Sequence, residues 1–76
     1  MYHKKSLDLL QEGQQAQVGE VLATGAMRRR LQDIGLTPGT RVRCLQKSPA
    51  GDPVAYLIRG AAIALRREDS GLVELR

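Results

Sequence analysis

The chain has 76 residues, 42% hydrophobic and 26% charged, with a net charge of +4. That bounds it to a single domain, 1–76, with a small core, because a chain this short buries only about 60% of its unfolded surface. Eleven Leu, five Val and three Ile must build that core, since Phe and Trp are absent and Tyr occurs twice. So few aromatics argue against a groove for proline-rich peptides and against a stacking platform for single-stranded nucleic acid. No uncharged run exceeds seven residues, far short of the roughly twenty apolar residues of a membrane helix. No apolar stretch follows Lys4 and Lys5, so no secretory signal is read. The single cysteine, Cys44, cannot form an internal disulfide, fits a reducing cytoplasm and reads as a small buried hydrophobe.

In chain order, Met1 to Lys5 reads as a frayed terminus. Ser6 is placed to cap a short turn over Leu7 to Leu10 that Gly13 ends. Gln14 to Ala23 reads as a strand, with Ala16 and Val18 on one face and Val21 and Ala23 on the other. The change of phase at Gly19-Glu20 predicts a bulge. Thr24 or Gly25 then caps a helix whose Met27, Leu31 and Ile34 form one apolar stripe. Gly35 suits the left-handed position after a helix, and Leu36 beyond it is spaced to touch Leu31 in a Schellman motif. Pro38 and Gly39 sit at the central positions of a type II turn between Thr37 and Thr40.

Thr40 to Lys47 reads as a strand with Val42 and Cys44 on one face and Arg41, Arg43, Leu45 and Lys47 on the other. Ser48 to Pro53 is a loop, and Pro53 can only start a strand or lie at an edge. Val54, Tyr56 and Ile58 alternate into the core. Gly60 permits a bend or bulge, after which Ala61, Ile63 and Leu65 alternate again. Arg66 to Ser70 makes a polar turn or one turn of helix, and Leu72 to Leu75 closes the chain with Val73 and Leu75 inward. Five short strands with one helix between the first two predict a mainly β fold, a small β-barrel.

The ordered motifs carry a family resemblance. Arg29-Arg30-Leu31, Ile34-Gly35-Leu36 and Pro38-Gly39-Thr40 are followed by Gly51-Asp52-Pro53-Val54, Arg59-Gly60 and Ile63-Ala64-Leu65-Arg66. Together, from about Leu7 to Leu75, they resemble the ferrous-iron transport protein A family, FeoA. The resemblance implies a cytoplasmic SH3-like β-barrel with a helix inserted after the first long strand. It implies an accessory role beside FeoB, a membrane ferrous-iron permease with a cytosolic GTP-binding domain, and a family-level association with transition metal ions. It implies no catalytic activity. Leu31, Gly35, Gly39, Gly51, Asp52, Pro53 and Gly60 carry the structural part of the pattern. The fold also resembles the C-terminal domain of iron- and manganese-dependent repressors. No helix-turn-helix precedes it here, which favours the stand-alone accessory.

Residue chemistry agrees with a binding role. A structural zinc site needs four close ligands, whereas His3 and Cys44 are far apart and Glu68-Asp69 reads as a solvated turn. Met1-Tyr2-His3 with a free amine matches a square-planar nitrogen set for Cu(II) or Ni(II), against the plainer reading of a disordered end. No base stands beside a Ser or Cys nucleophile, no carboxylate pair is spaced for acid–base work, and no phosphate-binding glycine loop occurs. No enzyme activity, metal or cofactor is expected. Charge is concentrated instead. Residues 28 to 47 hold Arg28, Arg29, Arg30, Arg41, Arg43 and Lys47 against Asp33, a net of +5, so the rest of the chain nets −1. Arg28, Arg29, Arg41 and Arg43, with Leu36 and Pro38 on an adjoining apolar shoulder, are the expected partner-binding residues, with an acidic surface of FeoB as the partner. The plain alternative for the Arg28–Arg30 run is a solvated helix face. The competing function is a small basic nucleic-acid-binding barrel or a regulator-type domain.

Overall fold

The computed structural model describes residues 5–76, so His3 and the metal-binding reading of residues 1–3 lie outside the described residues. Five strands, β1 (Gln15–Val21), β2 (Arg41–Lys47), β3 (Val54–Ile58), β4 (Ala61–Leu65) and β5 (Val73–Leu75), are accompanied by helices α1 (Gly25–Asp33) and α2 (Arg67–Ser70). The strands form one antiparallel sheet in the order β4-β3-β2-β1-β5. A single turn of 3-10 helix, Leu7–Leu9, precedes them. The inward residues of every strand meet in one apolar cluster that also takes Leu7, Leu10, Leu31 and Leu36. Alternation builds it: Val42 and Cys44 on β2 and Val54, Tyr56 and Ile58 on β3 are all buried.

The predicted bulge is present, as a register shift between Val18 and Val21 where β1 pairs with β5. It lets both Val18 and Val21 face the core. A second bulge was not anticipated. The β2–β3 register shifts between Cys44 and Gln46, after which Lys47 stands opposite the buried Val54. Residues opposite one another share a face, so Lys47 does not share the outer face of Arg41 and Arg43. Its backbone N–H donates to Glu12 Oε2 at 2.7 Å.

The stop of α1 follows its local sequence. Gly35 has φ +107°, Leu36 N–H donates to Leu31 O at 3.0 Å and Gly35 N–H to Gln32 O at 2.9 Å. These are the two bonds of a Schellman motif. Thr24 is the N-cap, without a side-chain bond to the helix. The Thr37–Thr40 turn closes with Thr40 N–H to Thr37 O at 3.0 Å.

Other expectations need correction. Ser6 does not cap the 3-10 turn through a backbone N–H; its hydroxyl bonds the Asp8 carboxylate. Lys5 is not frayed: its carbonyl accepts Leu75 N–H at 2.7 Å, and Ser6 bridges Glu74. The Arg59-Gly60 bend is a two-residue hairpin loop, with Arg59 at φ +50° and Gly60 at φ +82° joining the paired Ile58 and Ala61. Both residues in the left-handed region define a type I′ turn, whose twist matches the flanking strands. On β4 only Leu65 is buried, while Ile63 is half-buried and Ala61 is exposed.

Candidate docking surface

The outer face of the sheet holds two exposed cations side by side. Arg41 and Arg43 are exposed on β2 and lie two residues, about 7 Å, apart along one face. Arg41 stands opposite Gln17 and Arg43 opposite Gln15 on β1; Arg43 also faces Leu57 on β3. Gln15, Arg41, Arg43 and Leu57, with Arg59 and Gly60, line a shallow groove of about 260 Å³. Leu57, at 37% exposure, contributes its apolar surface. The guanidinium groups of Arg41 and Arg43 have no hydrogen-bond or ion-pair partner among the described residues. Two cations held close on a rigid strand repel, and an anionic group between them removes that cost.

Arg59 enters the sequence pattern only through the Arg59-Gly60 motif and is not among the expected binding residues, although its place in a two-residue loop between alternating strands was the available signal. Its side chain folds back across the end of α1, where Cδ lies 2.7 Å from the position that a Cβ on Gly35 would occupy. Nη2 donates to Thr37 Oγ1 at 3.2 Å. Arg59 thereby joins the α1 stop to the groove of β2.

The helix arginines stand elsewhere, and neither Arg28 nor Arg29 lines the groove. Arg28 Nη1 donates to Val21 O at 2.8 Å, tying the first turn of α1 to the end of β1. Arg29 is exposed. Arg30 approaches Asp69 with Nη1 3.9 Å from Oδ2. Asp69 is itself 8% exposed, so the Glu68-Asp69 pair is not a solvated turn: α2 packs on the 3-10 turn and turns Asp69 inward while Glu68 stays exposed. Leu36 is fully buried and leaves the docking set. Packing of the end of α1 on the sheet takes it into the core cluster. Pro38 remains exposed.

Among the structural residues, Asp52 has a role that its loop position hid. Its Oδ1 accepts Arg67 N–H at 2.9 Å and so satisfies the first turn of α2 from another part of the chain. Tyr56 donates its hydroxyl to Leu7 O at 3.3 Å, anchoring the 3-10 turn. Burial pushes the Tyr56 phenol above its ordinary pKa of 10.0, and burial likewise pushes the Cys44 thiol above 9.0. A larger hollow, about 610 Å³, is lined by residues that include Lys5, Leu10, Ala16, Leu75 and Arg76. Nothing in the sequence pattern pointed to it. Among the described residues no three of His, Cys, Asp and Glu converge on a point, and no helix is long and apolar enough to cross a membrane.

The FeoA domain family matches residues 5–76. This chain belongs to the FeoA family. It is 35% identical over 69 residues to a fusion of Fe(2+) transport protein A with the Fe(2+) transporter FeoB from Porphyromonas gingivalis, covering 91% of this chain and 8% of that relative. The match therefore spans a small part of a much longer protein. Among solved structures, the FeoA protein of Chlorobium tepidum shares 33% identity at a TM-score of 0.87, over 95% of this chain and 69% of that one. The FeoA of Stenotrophomonas maltophilia, solved in complex with zinc and described as a procaryotic SH3 domain protein, shares 29% identity at a TM-score of 0.84, over 95% and 89% of the two chains. The five-stranded antiparallel sheet with α1 after its first long strand is thus the SH3-like architecture of FeoA proteins, and the family is associated with ferrous-iron transport.

Proposed function

We propose that this FeoA chain is a non-catalytic accessory of ferrous-iron uptake that acts in the cytoplasm by binding a FeoB-type permease. The observation that carries the reading is the Porphyromonas gingivalis relative, in which a FeoA segment and a FeoB transporter share one polypeptide. A covalent link raises the local concentration of one part at the other to the order of millimolar, an arrangement suited to parts that work in contact. The groove of Arg41, Arg43 and Arg59 supplies the chemistry. Arginine forks bind carboxylates in bidentate fashion, and a basic surface speeds encounter with an acidic one. Arg29 and Pro38, both exposed, extend the contact beyond the groove, and Arg28 adds charge at the far end of α1.

The test uses full-length FeoB in detergent, wild-type chain and two charge-reversed forms, Arg41→Glu/Arg43→Glu and Arg28→Glu/Arg29→Glu. Exposed substitutions shift stability by under about 0.5 kcal/mol each; Arg28→Glu also loses the bond to Val21 O, about 1 kcal/mol more, and the fold of both forms is checked by circular dichroism before binding is measured. The groove variant should associate at least ten times more slowly, the wild-type rate should fall with salt, and ferrous uptake by cells carrying the groove variant should drop. If both variants bind FeoB and support uptake as the wild type does, the docking surface is wrong.

A further inference from the structure

The two edges of the sheet are treated differently. The outer edge of β5 is occupied, since Ser6 bridges Glu74 and Lys5 O accepts Leu75 N–H. The outer edge of β4 has no partner among the described residues. The hairpin geometry says which groups it offers. Ile58 and Ala61 close a two-residue loop, so they form a hydrogen-bonded pair, as do Tyr56 with Ile63 and Val54 with Leu65 further along. The intervening pairs, Leu57 with Ala62 and Ala55 with Ala64, point their backbone groups away from each other. Ala62 and Ala64 therefore present two N–H and two C=O groups to the outside.

Exposed edges are normally blunted by Lys, Pro, a bulge or a covering loop. Among the described residues β4 has none of these. Its five residues are uncharged and its register with β3 runs through five pairs without a shift. Ala62 and Ala64 are small and exposed, and the exposed Leu57 lies beside Ala62 on the same face. The groove of Arg41, Arg43 and Arg59 reaches Gly60, the residue just before β4.

We infer that the β4 edge accepts an extended segment of a partner as a sixth, antiparallel strand, and that this segment is apolar where it pairs with Ala62 and Ala64 and acidic at its C-terminal end. An antiparallel strand ends beside the start of β4, which brings its last residues to Gly60 and the arginine groove. The opposite end of β4 carries no such bias, because Arg66 and Arg67 are balanced there by Asp52 and Glu68. A second copy of the chain fits poorly. Pairing two β4 strands about Ile63 sets Arg59 against Arg67 of the other molecule, like charge against like. The inference rests on the FeoB-docking reading only for the identity of the protein that carries the segment.

The experiment follows backbone amide exchange by NMR in the full chain, with a synthetic acetylated peptide, Thr-Val-Thr-Val-Thr-Glu-Glu-Glu, as the probe. A counterpart ending in three lysines is the control. The amides of Ala62 and Ala64 should exchange fast in the free chain and gain at least ten-fold protection with the acidic peptide. Those of Ala61 and Ile63, already bonded to β3, should not change. The lysine peptide should bind at least ten times more weakly. Ala64→Lys should abolish the added protection without lowering the melting temperature, and Arg41→Glu/Arg43→Glu should erase the preference for acid while leaving the edge intact. No response at Ala62 and Ala64 at millimolar peptide overturns the inference, as does an equal response to the two peptides. Edge protection that rises with the chain's own concentration also overturns it, by assigning the edge to a second copy. Full-length FeoB separates the two readings. Protection of Ala62 and Ala64 by FeoB supports both. FeoB binding that protects only other amides overturns strand addition and leaves docking standing, whereas peptide addition without FeoB binding does the reverse.

Discussion

Gly35→Ala is the sharpest test of how α1 is joined to the sheet. At φ +107° a side chain is strained in any surroundings, and placing a non-glycine residue in left-handed conformation costs roughly 1–2 kcal/mol. The surroundings add to it. The new Cβ would lie 2.7 Å from Arg59 Cδ, 3.0 Å from Nε and 3.1 Å from Cγ. The Arg59 side chain must swing away, losing its bond to Thr37 Oγ1. Forcing a side chain off its rotamer costs about 0.5–1.5 kcal/mol. The total is about 2–3 kcal/mol, which lowers the melting temperature of a domain this size by roughly 10–20 °C. Gly60→Ala is the internal control, because Gly60 has φ +82° with nothing within 4 Å of a Cβ and carries only the backbone part. Arg59→Ala should remove the steric part, so Gly35→Ala in that background costs about 0.5–1 kcal/mol less than in the wild type. Thermal unfolding followed by circular dichroism measures the four variants beside the wild type. A Gly35→Ala protein that melts with the wild type, or no coupling to Arg59, refutes the reasoning.

Alkaline stability should follow the two buried acids. Cys44 and Tyr56 have pKa values raised by burial above 9.0 and 10.0. The unfolded chain therefore loses their protons first, and stability is full below pH 9 and falls as pH rises through and above that value. Denaturant unfolding at pH 8 to 11 checks this, and a flat profile through pH 10 contradicts it. Tyr56→Phe removes the bond to the buried Leu7 carbonyl and should cost about 1 kcal/mol or somewhat more, with part of the alkaline loss disappearing. Calorimetry with ferrous iron under anaerobic conditions should detect no stoichiometric micromolar site in residues 5–76, because no three of the usual ligands converge there; a tight one-to-one isotherm would show otherwise.

The elements and their stops are legible in the amino-acid order because their causes are local. Alternation places Val42, Cys44, Val54, Tyr56 and Ile58 inward, the change of phase at Gly19 marks a bulge, and Gly35 with Leu36 and Leu31 spells out the end of α1 within six residues. Charge was legible too: Arg41 and Arg43 fall on the outer face as their spacing from Val42 and Cys44 requires. What failed depends on chain segments far apart. The same Leu36 that completes the Schellman motif was also expected on the surface, and only packing against the sheet decides that it is buried. Asp69 is turned inward by the docking of α2 on the 3-10 turn, sixty residues earlier in the chain. The bulge between Cys44 and Gln46, which moves Lys47 off the arginine face, is set by pairing with β3 rather than by a glycine or proline in β2. Arg59 meets Gly35 across 24 positions of sequence, and the open edge of β4 exists because the sheet order leaves it last. Periodicity and turn chemistry act over a few residues, so the sequence by itself determined which segments are strands, helix and turns; register, edges and the company each charge keeps arise between segments, and only the tertiary structure decided them.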